Sequence, residues 1–303
     1  MSALILSKGT TVEGFNNFAT EQNWKSKIVD DRTNKDIFFG VDIKPLSDFV
    51  PKSLNTNGEQ VVLSTNDNQI IKVHGNQYSL LTNEMAFNSV NVAINALFEQ
   101  GILDPTDAHI SDAVVNRGGK VIRQYIFPKH MVTMDDGDKV ALRIVVLNSY
   151  DGSSNFSLQV GGFRIVCTNG LISGSKFINL QVRHSGEMNE VDFQAVTLRL
   201  KSAVTSFAEI GEYWKKLQKT PISDNKAESF LLPYATDSKE INIEKLIMFT
   251  DLYKAHKRDL GGTYWALYNT LTAWATHYQI AEKSLPNIAN IRLQRESKVL
   301  KTI

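Results

Sequence analysis

Gly161-Gly162-Phe163-Arg164-Ile165-Val166-Cys167-Thr168-Asn169-Gly170-Leu171 reads as the end of a strand running into a tight turn. Phe163, Ile165 and Cys167 alternate with Gly162, Arg164 and Val166, the period-two pattern of a strand with two unlike faces. Asn169-Gly170 is the dipeptide that best tolerates the positive φ of a two-residue hairpin turn. Working outward, Val121 to Phe127, Val140 to Asn148, Phe156 to Cys167 and Phe177 to His184 are all β-rich. Turns such as Asp135-Asp136-Gly137-Asp138 and Asp151-Gly152-Ser153 separate them. Connections this short join antiparallel neighbours, so the spacing predicts a meander over about residues 120–184.

Beyond the meander the apolar period lengthens. Phe193, Leu200, Phe207 and Trp214 recur at helical spacing and predict one long helix over about 190–219, laid on one face of the sheet with those four side chains buried. Two further helices are predicted at Ile243 to His256 and Tyr264 to Glu282, broken apart by Gly261-Gly262 and with Thr263 as the second cap. Upstream, Ala86, Val90, Ile94 and Leu97 mark a helix near 84–100, capped by Asn83 and closed by Gly101. Short strands are expected near 27–30, 36–43, 61–64 and 69–74. Residues 1–26, with Phe15, Phe18 and Trp24, read as an arm that docks by its aromatics. The organisation is then an arm at 1–26, a β-rich core at 27–188 and a helical part at 189–303, integrated as one domain. The expected class is α+β, an antiparallel meander packed by a long helix.

With 303 residues, 42% hydrophobic, 21% charged and a formal charge of +1, the chain can bury a sizeable core and is not a general polycation, so any nucleic-acid surface must be a local patch. One cysteine excludes an internal disulfide framework and fits a reducing compartment. The short apolar start lacks the flanks of a signal peptide, and no run reaches the roughly 18 residues of a membrane span. The expectation is a cytoplasmic protein, in the host cytoplasm if phage-encoded, that does not enter a membrane.

Two motifs carry a family resemblance. The first is an arginine and apolar residues followed by Cys-Thr-Asn-Gly, at Arg164 to Leu171. The second is Gly262-Thr263-Tyr264-Trp265-Ala266-Leu267-Tyr268-Asn269 through His277. Over roughly residues 40–280 the chain resembles the phage/plasmid-like family catalogued only as a domain of unknown function. The resemblance implies a gene of a bacteriophage or conjugative element, often near replication and recombination genes, and it implies no activity.

Cys167 is the one candidate nucleophile, but alternation puts it with Phe163 and Ile165, where a cysteine behaves as a small hydrophobe, so packing is the stronger reading. Asn169 and Gly170 belong to the same structural motif. Asn269 and His277 lie two turns apart on one helix and read as a buried polar clamp. The six histidines show no metal-ligand spacing and no nucleotide-binding fingerprint occurs, so neither metal nor cofactor is expected. Arg117-Gly118-Gly119-Lys120 suggests phosphate, yet a loop entering a strand needs glycine for geometry alone.

The most informative pattern is a row of arginines. Arg123, Arg143, Arg164 and Arg183 fall on four successive β-segments, out of phase with apolar neighbours, and Tyr125 lies nearby. A sheet covered on one face would expose guanidinium groups on the other, either as an ordinary solvated face or as one that pairs with phosphate and stacks on bases. The leading expectation is therefore a mobile-element protein of DNA metabolism that binds single-stranded DNA and assists annealing, with homo-oligomers compatible. The alternative is a host-interaction or anti-defence protein that binds a host protein, and a Cys167 enzyme ranks last. A second basic candidate is Arg292, Arg295, Lys298 and Lys301, at three-residue spacing.

Overall fold

Alternation and short turns build the centre of the molecule. The computed structural model describes residues 37–115, 118–164, 170–171, 179–182, 193–238, 240–278 and 288–299. Strands β1 (Val41–Pro45), β2 (Gln60–Ser64) and β3 (Ile70–His74) form a small antiparallel sheet, followed by helix α1 (Asn83–Glu99). The main sheet takes β4 (His109–Val115), β5 (Lys120–Thr133), β6 (Lys139–Ser149), β7 (Phe156–Arg164) and β8 (Gly170–Leu171) in that spatial order. Strand β9 (Asn179–Val182) also pairs with β7. Every pairing is antiparallel, so the expected meander stands and the class is α+β.

The helices follow as α2 (Phe193–Thr205), α3 (Phe207–Lys219), α4 (Asp224–Leu231), α5 (Ile243–Leu260), α6 (Tyr264–His277) and α7 (Ile288–Val299), with a two-stranded ribbon β10 (Thr236–Asp237) and β11 (Glu240–Ile241) ahead of α5. The single long helix predicted over 190–219 is two helices. Thr205 Oγ1 bonds back to the carbonyls of Lys201 and Ser202, the side-chain competition that bends helices, and the break falls at Ser206. Leu200, Phe207 and Trp214 are buried as the spacing required. The Phe193 side chain lies outside the described residues. Gly162 lets α3 approach closely, because a Cβ there would run into Val140 and Trp214.

The α1 cap moves by one residue. Thr82 Oγ1 accepts from the Met85 amide at 3.2 Å, whereas Asn83 is buried and spends its amide on Ile37 O at 2.7 Å. Asn148 in turn donates to Asn83 Oδ1 at 2.9 Å. Thr263 caps α6 as expected, accepting from Ala266 N. Gly170 pairs with Phe163 and so belongs to the returning strand, not to a two-residue turn. The arm at 1–26, the strand near 27–30, Cys167 and Asn169 lie outside the described residues.

One consequence of this packing governs the site. From Val140 to Ser149 every residue of β6 is buried, so the sheet is covered on both faces. Alternate positions such as Tyr125, Phe127, Leu142 and Ile144 join the main core with α1, α2 and α3. The other face carries Lys120, Gln124, Arg143, Ser157 and Gln159 among apolar residues, and α7 lies across it.

Candidate nucleic-acid interface

The expected row of exposed arginines does not exist as a row. Arg123 stands opposite Val146 and shares the core face with Tyr125, whereas Arg143 stands opposite Ile126 and Gly161 on the other face. Both are buried. Asp112 holds Arg123 by a bidentate pair, Nε to Oδ1 at 2.7 Å and Nη2 to Oδ2 at 2.8 Å, and the guanidinium carbon lies 5.2 Å from the Phe38 ring centroid. Tyr125 donates to Asn91 Oδ1 at 2.7 Å inside the core. Arg143 gives Nε and Nη2 to Gln124 Oε1, at 2.8 and 2.6 Å, and Nη1 to Glu296 Oε2 of α7 at 3.0 Å. The physical reason is the second cover: a strand roofed on both sides has no solvated phase, and each buried charge takes a partner. Arg164 ends β7, with its side chain outside the described residues, as is all of Arg183.

The helical motif behaves as a structural one. Asn269 is fully buried and its Nδ2 donates to Trp265 O at 2.9 Å, one turn back along α6, while His277 is half-buried at the helix end.

What the sheet does offer is a cleft of about 430 Å³ between its second face and α7. Lys120, Ser157 and Gln159 form the floor, Ser154 and Asn155 the end, and Gln294, Ser297 and Lys298 the wall. Its end is shaped locally. Gly118, at φ +87°, turns the chain into β5, and Gly119 O accepts the amides of Tyr150 and Asp151 at 2.6 and 3.0 Å. Ser149 Oγ then ties the following turn by donating to Ser154 O at 2.7 Å.

The electrostatics of this region differ from the near-neutral whole. Burial pushes the Lys120 pKa down and Asp151 pulls it partly back. On α7, burial takes Arg292 down to about 10, against the opposing pull of Glu296. Burial also lowers Arg295, which sits 5.0 Å over the Trp274 ring and donates to Tyr278 O at 3.0 Å. Burial pushes the Glu296 carboxyl up despite Arg143. Burial thus lowers Lys120, Arg292 and Arg295 alike, with Asp151 opposing it at Lys120 and Glu296 opposing it at Arg292. Gln159 Oε1 is buried without a hydrogen-bond partner among the described residues.

Three-residue spacing does not make a basic stripe on α7. Each step of three falls about 60° short of a full turn, so Arg292 faces inward, Arg295 is half-buried and Lys298 is exposed. Lys301 lies outside the described residues. Lys298 Nζ reaches Pro233 O at 3.2 Å and lies 4.7 Å from the Tyr234 ring centroid. Beside its glycine turn, Lys120 carries one sequence signal of this placement: it is a lysine in phase with Ile122 and Gln124 at the start of a strand.

A family model described as a domain of unknown function (DUF932) matches residues 71–300. Two curated Escherichia coli (strain K12) proteins, UPF0380 protein YfjQ and UPF0380 protein YafZ, are each 44% identical over 45 residues, 15% of this chain and 16% of the relative. The aligned segment therefore spans under a fifth of either relative's length. No solved structure matches. Among the described residues no helix is long and apolar enough to cross a membrane, and no cluster of potential metal ligands occurs.

Proposed function

We infer that this chain, which belongs to the DUF932 family of unknown function, is a single-stranded DNA-binding protein of a mobile element, and that the strand enters the cleft beneath α7. The observation that carries this is the lining itself. Lys120 and Lys298 stand at one cleft with serine hydroxyls and the side-chain amides of Asn155, Gln159 and Gln294. Ammonium groups take phosphate as point charges, and side-chain amides can read the exposed edges of unstacked bases. The volume falls within the roughly 300–1,000 Å³ of small-ligand sites, room for a nucleotide unit. Assistance to annealing and a role in recombination extend this reading, supported by the setting that the resemblance implies.

Fluorescence anisotropy with a 20-nucleotide oligothymidine, from 50 to 200 mM salt, tests it. Two lysine–phosphate contacts give a log–log salt slope of about −1.4 or steeper on a single strand. Replacing Lys120 by Met and Lys298 by Gln together is expected to flatten the slope by about that amount. No salt-sensitive binding at micromolar protein would defeat the reading.

One observation favours the alternative of a protein partner. Ile241, Ile243 and Ile247 are 49%, 61% and 56% exposed beside the exposed Glu240 and Glu244, a surface suited to a basic apolar segment of a host protein. Under that reading Ile247→Lys abolishes capture of the partner and leaves oligonucleotide binding alone.

A further inference from the structure

We propose that Arg143 is a concealed phosphate-binding site, occupied in the free protein by the Glu296 carboxylate of α7 and taken over by a backbone phosphate when a single strand binds. The inference rests on the single-strand reading and adds a site and a means of regulating it.

The geometry is that of an anion site holding a poor occupant. Gln124 Oε1 accepts from both Nε and Nη2 of Arg143, which fixes the plane of the guanidinium and leaves Nη1 for the group on α7. That group is one carboxylate oxygen at 3.0 Å, a single contact where a bidentate one is the strong arrangement. The other oxygen, Glu296 Oε1, is buried with no hydrogen-bond partner among the described residues. Glu296 is 3% exposed and Arg143 likewise 3%, so both charges are desolvated for one direct bond. A buried pair with an unsatisfied oxygen is weakly favourable at best, because desolvation offsets the attraction. A phosphate brings more acceptor oxygens to the same fork and leaves Glu296 to return to water.

Position supports the exchange. Lys120 is paired with Ser149, and Arg143 lies six residues further along β6 on the same face of the sheet. At about 3.4 Å per residue the two cations are about 20 Å apart. A strand held at Lys120 and Lys298 and running along β5 would arrive at Arg143 with a later phosphate. Ser157 and Gln159 line the way on β7. This assigns a purpose to polar residues on a sheet face that would otherwise be filled by apolar ones: they form a binding surface that α7 covers.

The test compares three proteins by the same salt titration of oligothymidine: wild type, Glu296→Gln, and the double variant Arg143→Met with Glu296→Leu, which keeps the buried volume and removes both charges. Glu296→Gln is expected to bind three- to tenfold more tightly at 100 mM salt with the wild-type slope, because the same phosphate reaches Arg143 in both complexes and only the competing carboxylate is gone. The double variant is expected to lose that gain and to flatten the slope by about 0.7 relative to wild type, the one phosphate that Arg143 holds. Wild-type affinity in a folded Glu296→Gln protein, or the wild-type slope in the double variant, would overturn this inference while leaving the cleft reading intact. If neither wild type nor Glu296→Gln binds, both fail together. Should Glu296→Gln not fold, hydrogen exchange of the wild-type α7 amides decides: faster exchange in the presence of oligothymidine supports the swap of partners, and unchanged or slower exchange overturns it.

Discussion

Arg123 and Arg143 carry the same charge, but replacing them should separate stability from binding. Arg123 is fully enclosed with Asp112, so Arg123→Ala leaves a carboxylate without its partner and is expected to cost about 3–5 kcal/mol in urea unfolding. The oligonucleotide salt slope of the folded fraction should stay unchanged. Loss of binding slope without loss of stability would contradict this placement. The clue was in the sequence: Arg123 is in phase with Val121, Tyr125 and Phe127, and those three form core. Reading the arginines only against their immediate neighbours hid that Arg123 and Arg143 sit on opposite faces. Gly162 makes a second residue-scale case. Gly162→Ala pushes a methyl into Val140 and Trp214 and is expected to lower stability by about 1–3 kcal/mol, read as a lower urea midpoint.

Among the elements, α7 decides most and was least legible. Its apolar pattern is weak, with Arg292 and Glu296 at inward positions where a periodicity search expects leucine. A helix that buries charge against charge leaves no hydrophobic stripe to find. The break between α2 and α3 was hidden for a related reason, since the apolar spacing continues across Ser206 while Thr205 alone redirects the chain. A pH dependence follows from the α7 anchor. Burial raises the Glu296 pKa above 4.5, with Arg143 on β6 and Arg292 on its own helix opposing the rise, and Tyr268 of α6 within its field. A carboxyl whose folded pKa is raised binds its proton more tightly in the folded state. Its contribution is full below about pH 4.5 and is lost as pH climbs through the folded value. The unfolding free energy of wild type relative to Glu296→Gln is therefore expected to fall from pH 4 to pH 8. A difference that grows over that range would contradict the account.

At the scale of the molecule, the meander was legible because alternation, short turns and Gly-bearing connections all agreed. The missed strand β4 was not: Ile110 and Val114 are core, but Asp112 sits between them, committed to Arg123 across the strand pair. The site was misplaced because a sequence shows which residues alternate, not which faces receive a cover. Both faces here are covered, and the second cover brings a cleft with it. The place where a single strand touches the protein is read most directly by photo-crosslinking of a bromodeoxyuridine-substituted oligonucleotide, followed by mass spectrometry of the linked peptides. Crosslinks in the peptides holding Ser154 to Gln159 and Leu293 to Lys298 are the expected result. Efficient crosslinking confined to peptides that lie elsewhere on the surface, such as Ile241 to Ile247, would contradict it.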